Sequence, residues 1–156
     1  MEEPRPRSRR HPATERAEDT TEATRARQPS SATFPKRSGR LALIVETDPA
    51  TLRLSRDVLE SSVFVVDAVD SGIAAVVAAR DGLPELILMD LQLRDVPGRE
   101  AIGWLRSNPA LRSTPIIVLT SNDDDDADMA ATQPGASLRK PVSALTIQRT
   151  IREVLK

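Results

Sequence analysis

Three stretches of this chain are apolar at every position: Leu41-Ala42-Leu43-Ile44-Val45, Leu86-Ile87-Leu88-Met89 and Ile116-Ile117-Val118-Leu119. A strand with one wet face alternates apolar and polar residues, so a short run with no polar position reads as a strand covered on both faces, as at the centre of a parallel sheet. Such runs leave few folds open. The middle run is followed by Asp90, which then stands at the carboxyl end of its strand. Open α/β sheets place their ligand crevice at that edge, so Asp90 is a site candidate. Read alone, it is just as well a turn or helix-cap aspartate.

Around these runs the chain alternates strand and helix. Asp48-Pro49 opens a helix, an N-cap acid ahead of a proline at the first helical position, and Leu52, Val58 and Leu59 give it an apolar stripe that ends near Ser61. A second strand is expected over 63–66. Ser71 caps a helix through Ile73, Val76 and Val77 to Gly82, and Pro97-Gly98 leads into one with Ala101, Ile102 and Leu105 that ends by Asn108-Pro109. After a strand at 115–119 come a weakly apolar helix at 123–132, a short fifth strand at 137–139 and a last helix. That helix is expected to start at Pro141 and to bury Leu145, Ile147, Ile151, Val154 and Leu155. Five strand-helix units in a row imply right-handed crossovers and a parallel sheet with helices on both faces. The fold class is α/β, doubly wound; periodicity leaves the strand order open.

Residues 1–38 show neither period. Pro4, Pro6, Pro12, Pro29 and Pro35 punctuate Arg, Thr, Ser, Glu and Ala, a composition that buries too little apolar area to offset its ordering entropy. The expected organisation is a disordered tail over 1–38 and one folded domain over 39–156. Arg5, Arg7, Arg9 and Arg10 form a small basic cluster in the tail, but nearby acids dilute it and no aromatic residue interleaves to stack on bases. With aromatics limited to Phe34, Phe64 and Trp104, the core is expected to consist of Leu, Ile, Val and Ala. A net charge of -1 gives no general attraction to nucleic acid or acidic membranes. The chain has no cysteine, and its one histidine, His11, is in the tail, which excludes thiol chemistry and a Ser-His or metal-His centre in the folded part. No apolar run reaches membrane-span length, so a cytoplasmic protein is expected.

The strand ends carry the polar chemistry. The first offers Glu46-Thr47-Asp48, the third Asp90 and Gln92, the fourth Thr120-Ser121 and the fifth Lys140-Pro141. Carboxylates suit a hard cation such as Mg²⁺, and a phosphoryl group needs a cation, a lysine and a hydroxyl around its oxygens. The set therefore suggests phosphoryl transfer onto Asp90 as carboxylate nucleophile. Singly, each residue has a structural reading: Glu46 and Asp48 as helix-start acids, Thr120-Ser121 as a polar turn, Lys140 as a solvated strand-end lysine.

From about residue 40 to 155 the chain resembles a response-regulator receiver domain of two-component signalling. The matching motifs are Leu43-Ile44-Val45-Glu46-Thr47-Asp48-Pro49, Leu86-Ile87-Leu88-Met89-Asp90, the loop 95–98, Pro115-Ile116-Ile117-Val118-Leu119-Thr120-Ser121, Gly135-Ala136 and Lys140-Pro141. The resemblance implies a flavodoxin-like (βα)5 fold with strand order 2-1-3-4-5, the order that flavodoxin shares with a chemotaxis receiver. It implies Asp90 as phospho-acceptor, Thr120 as the switch hydroxyl and Lys140 as the lysine paired with the phosphoryl group. It further implies Glu46, Asp90 and the Gln92 backbone carbonyl as Mg²⁺ ligands, and a cis peptide before Pro141. The expected donor is a histidine kinase or phosphotransfer protein. The expected output is protein contact on the face of the fourth helix (123–132), fifth strand and fifth helix, with no DNA-binding module and no enzymatic activity beyond self-phosphorylation and autodephosphorylation.

Three positions depart from the family pattern. Thr47 stands where the second metal-binding acid is usual, which weakens the expected Mg²⁺ site; Asp48 is close by, but its Asp-Pro context favours a cap. Ser137 holds the place of the aromatic switch residue, and Arg94 that of a loop proline. The acidic run 123–126, with Asp128, reads as the solvated first turn of a helix. Besides a working receiver, the residues admit a pseudo-receiver that binds partners without phosphorylation. An aspartate-nucleophile phosphatase is disfavoured by Gln92 in place of a second aspartate, and a flavin module by the acidic loop after the first strand.

Overall fold

Burial follows the sequence pattern strand by strand. In the computed structural model, which describes residues 39–121 and 135–156, strands β3 (Leu86–Asp90) and β4 (Ile116–Thr120) are buried at every position. Strand β1 (Arg40–Val45) is buried from Ala42 onward. Strands β2 (Phe64–Val69) and β5 (Ala136–Arg139) are only partly covered. The pairing explains the contrast: the sheet is parallel with order β2-β1-β3-β4-β5, so the continuous runs are its three central strands and the polar ones its edges. Edge residues Asp67, Ser137 and Arg139 place polar and charged side chains where an unpaired strand would otherwise invite another chain.

Among the described residues four α-helices cover the two faces: α1 (Pro49–Ser61), α2 (Gly72–Gly82), α3 (Gly98–Ser107) and α4 (Ala144–Val154). Under α2 and α3 lie Leu43, Val45, Ile87, Met89, Ile116 and Val118 with Ala75, Ala79, Ala101, Ile102 and Leu105. Under α1 and α4 lie Ala42, Ile44, Leu86, Leu88, Ile117 and Leu119 with Val58, Leu59, Ile147 and Ile151. Phe64 and Met89 join this core, which is thus not purely Leu, Ile, Val and Ala. The described residues all belong to one compact unit, and none of their helices is long and apolar enough to cross a membrane.

Among the described residues three of the four helix starts are set by side-chain caps, while α3 begins behind Pro97 without one. Asp48 accepts from the Thr51 N–H at 3.0 Å and the Thr51 hydroxyl at 2.6 Å, Ser71 from the Ala74 N–H, and Ser143 from the Thr146 N–H. Three expectations need correction. The last helix begins at Ala144 behind its Ser143 cap, not at Pro141, whose bond to Lys140 is cis. Leu145 is 55% exposed, because it lies two residues, or about 200°, around the helix from Ile147. The sequence leaves the buried face of α2 open: Ile73 and Val77 face outward while Gly72, Ala75 and Ala79 pack inward. The second strand begins at Phe64, since Val63 has a left-handed backbone (φ 69°) in the turn after α1, and it runs on to Val69. The helix expected at 123–132 and the tail at 1–38 lie outside the described residues.

Candidate functional site

The parallel register brings the strand ends into a row. Val45 pairs with Met89, Asp90 with Leu119, and Thr120 with Arg139. Glu46, Asp90, Thr120 and Lys140 therefore meet along one edge although they come from four strands. Glu46, just past β1, and Asp90, last in β3, are both buried, as is Thr120 at the end of β4. Lys140, just past β5, is fixed against β4 by its N–H donating to the Thr120 carbonyl at 2.7 Å.

From there the Lys140 ammonium reaches across β4. Its Nζ donates to Asp90 Oδ2 at 2.9 Å and to Glu46 Oε1 at 3.0 Å, and lies 3.0 Å from Glu46 Oε2 as well. Two buried carboxylates thus share one cation. Burial pushes the Glu46 carboxyl above its usual range, against the Asp48 N–H and Lys140, which favour the charge, and with the Asp90 charge adding to the rise. Burial acts to lower Lys140, but its bonds to Asp90 and Glu46 and their charges outweigh this and hold the ammonium above its ordinary value. Asp90 Oδ1 is engaged separately, accepting from the Gln92 N–H at 2.9 Å.

The acidic loop after β1 folds back on itself. Glu46 Oε1 accepts from the N–H groups of Thr47 and Asp48, at 3.1 and 3.0 Å. Glu46 Oε2 is buried and makes no hydrogen bond, and its charge is met by the Lys140 ammonium 3.0 Å away. Glu46, Asp90 and the Gln92 carbonyl are donors of the right chemistry for a hard divalent ion. Yet among the described residues no three acidic or imidazole groups come together to hold one, because the position beside Glu46 is Thr47. Asp48 does not replace the missing acid: its carboxylate caps α1, and Thr51 holds it below the usual carboxylate range. Ser137 is exposed on β5, and Arg94 is exposed in the loop after β3.

Sequence reasoning gave no role to Asp95. Its two oxygens accept from the Gly72 and Ile73 N–H groups, each at 2.9 Å, so the loop after β3 is tied to the first turn of α2. The available signal was negative: α2 has no acid in its own first turn, a place where negative charge is favoured.

Parallel strands in the order 2-1-3-4-5 with helices on both faces define a flavodoxin-like fold, and a lysine bridging two buried carboxylates stands at the carboxyl edge of its sheet. The model of the response regulator receiver domain matches residues 42–152. The chain belongs to that family of two-component signalling proteins. It is 35% identical over 115 residues to the polar-differentiation response regulator DivK of Brucella ovis, covering 72% of this chain and 94% of the relative. Among solved structures it is similar to the receiver domain of the sensor histidine kinase PA1611 of Pseudomonas aeruginosa, which has a magnesium ion coordinated in its active site cleft. That match has 30% identity, a TM-score of 0.69 and coverage of 76% of this chain and 100% of the other. The chemotaxis response regulator CheY4 of Vibrio cholerae matches in fold, with TM-score 0.70 at 20% identity over 74% of this chain and 98% of that one.

Proposed function

We propose that this chain receives a phosphoryl group on Asp90 from the phosphohistidine of a histidine kinase or phosphotransfer protein and signals through contact with a further protein. The observation that carries the proposal is the Lys140 ammonium, 2.9 Å from Asp90 and shared with Glu46. A carboxylate oxygen of Asp90 attacks phosphorus as the donor's P–N bond breaks, and the leaving imidazole takes up a proton. Lys140, already at the acceptor, is placed to pair with the added negative charge, and the buried Thr120 hydroxyl is the further donor. Glu46, Asp90 and the Gln92 carbonyl would hold Mg²⁺, which when bound neutralises charge on the phosphoryl oxygens. With Thr47 in place of an acid, that ion binds weakly.

The proposed output face includes β5 and α4, on which Ser137 and Leu145 are exposed. Its place of action on this reading is the cytoplasm. A second reading, a pseudo-receiver that binds partners unmodified, is favoured by one observation: only two acids meet among the described residues.

Intact mass after incubation with Mg²⁺ and a small acyl phosphate separates the two. A gain of one phosphoryl group, lost in Asp90→Asn, is the expected result; no gain at any Mg²⁺ concentration sinks the first reading and leaves the second.

A further inference from the structure

The loop 91–97 carries the acceptor's nearest neighbours, and it is tied down at three points. At its start, Gln92 N–H donates to Asp90 Oδ1 at 2.9 Å, and Leu91 N–H donates to the Leu119 carbonyl at 3.1 Å. At its end, Gly98 N–H donates to the Leu91 carbonyl at 2.9 Å, and the two segments are so close that a Cβ on Gly98 would lie 2.5 Å from Leu91 Cα. In its middle, Asp95 grips α2. The two carboxylate oxygens take the Gly72 and Ile73 N–H groups, and Ser71 takes the next, from Ala74. The loop also presses on the same turn: a Cβ on Gly72 would come 2.3 Å from Val96 Cγ2 and 3.5 Å from Leu93 Cδ1.

We propose that Asp95 is a positioning residue, holding the 91–97 loop on α2 so that the Asp90 carboxylate and the Gln92 carbonyl stand in register for phosphoryl transfer. The proposal rests on the reading of Asp90 as acceptor. It goes beyond helix capping, because the capping carboxylate comes from the acceptor's own loop, 22 to 23 residues away in sequence from the N–H groups it holds. Small displacements of a reacting group cost large factors in rate, so a loop set loose at its middle slows transfer while the fold persists.

The test uses the full chain with Asp95→Asn, Asp95→Ala and Gly72→Ala. Two quantities are measured: the rate of phosphoryl gain from a small acyl phosphate across Mg²⁺ concentrations, and amide hydrogen exchange at Gly72, Ile73 and Gln92 without metal or phosphodonor. At saturating Mg²⁺, Asp95→Ala is expected to slow modification about tenfold or more. Asp95→Asn, which keeps one acceptor oxygen, falls between it and wild type, and Gly72→Ala, which displaces Val96 and leaves Asp95 chemically intact, behaves like Asp95→Ala. Protection of the Gln92 amide falls in the same order.

A purely capping role would lower protection at Gly72 and Ile73 while leaving both the rate and Gln92 unchanged, and that result overturns the proposal. Should wild type gain no phosphoryl group, the acceptor reading fails separately and Gln92 exchange alone decides: lost protection in Asp95→Ala supports the hold on the loop, unchanged protection refutes it. Should Asp95→Ala fail to fold, Asp95→Asn and Gly72→Ala carry the same comparison.

Discussion

Two loops of this molecule have the same task, presenting a buried carboxylate at the edge of the sheet, and they are held in different ways. The loop after β1 is three residues long and closes on itself: Glu46 is gripped by the next two N–H groups, and Asp48 caps the helix that follows. The loop after β3 is seven residues long and leans on another part of the fold, through Asp95 on α2 and Val96 against Gly72. A short loop can be fixed by its own backbone; a longer one needs an outside anchor to offset its conformational entropy. Lys140 is the group that joins them.

Removing that joint gives the largest expected effect. Lys140→Ala leaves two adjacent buried carboxylates without a cation, which costs about 3 kcal/mol of stability in urea unfolding. Adding Glu46→Gln to that variant should restore much of the loss, since one of the two charges is then gone. If Lys140→Ala is as stable as wild type, the two loops are not coupled through the lysine.

Next in size is Thr47→Asp, which acts on the short loop alone. Restoring an acid beside Glu46 should tighten Mg²⁺ binding about tenfold or more, as read by calorimetry, and lower metal-free stability by about 1 kcal/mol through like-charge repulsion. Unchanged affinity would mean that the short loop cannot aim a second carboxylate at the ion.

The smallest effect concerns the long loop and is a dependence on pH. The Ile73 and Gly72 N–H groups favour the charged form of Asp95 and hold its carboxyl below the ordinary 3.8. Because the folded value is the lower one, its contribution to stability is complete well above 3.8 and is lost as the pH falls through the folded value. The stability difference between wild type and Asp95→Asn should therefore be constant near neutral pH and shrink in acid. A difference that grows in acid would show that the carboxylate is not what the two N–H groups select.

The same contrast explains what could be read from the sequence. The central strands, the Asp48 cap and the row of Glu46, Asp90, Thr120 and Lys140 rest on patterns within a few residues, or on strand ends that any parallel sheet aligns, and all of these appear in the structure. Strand order came from family resemblance, not from periodicity. What escaped depends on distant packing. On α2, Ile73 and Val77 are exposed while the smaller Ala75 and Ala79 are buried, a choice of face that the sequence leaves open. Val63 has strong strand propensity, but the chain must turn out of α1 there, and the turn takes it into the left-handed region. Asp95 had no local pattern to give it away, since its partners are more than twenty residues upstream.

The lysine bridge has a bearing on when the site exists at all. Lys140 meets Asp90 across 50 positions of chain and Glu46 across 94, so no fragment of the domain contains the three groups in place. Contacts of such long range must offset a large loop-closure entropy and depend on the strands between them being in place. On the proposed reading, a phosphodonor that requires this lysine at the acceptor would recognise only folded molecules, and modification of Asp90 would certify an intact domain as well as a received signal.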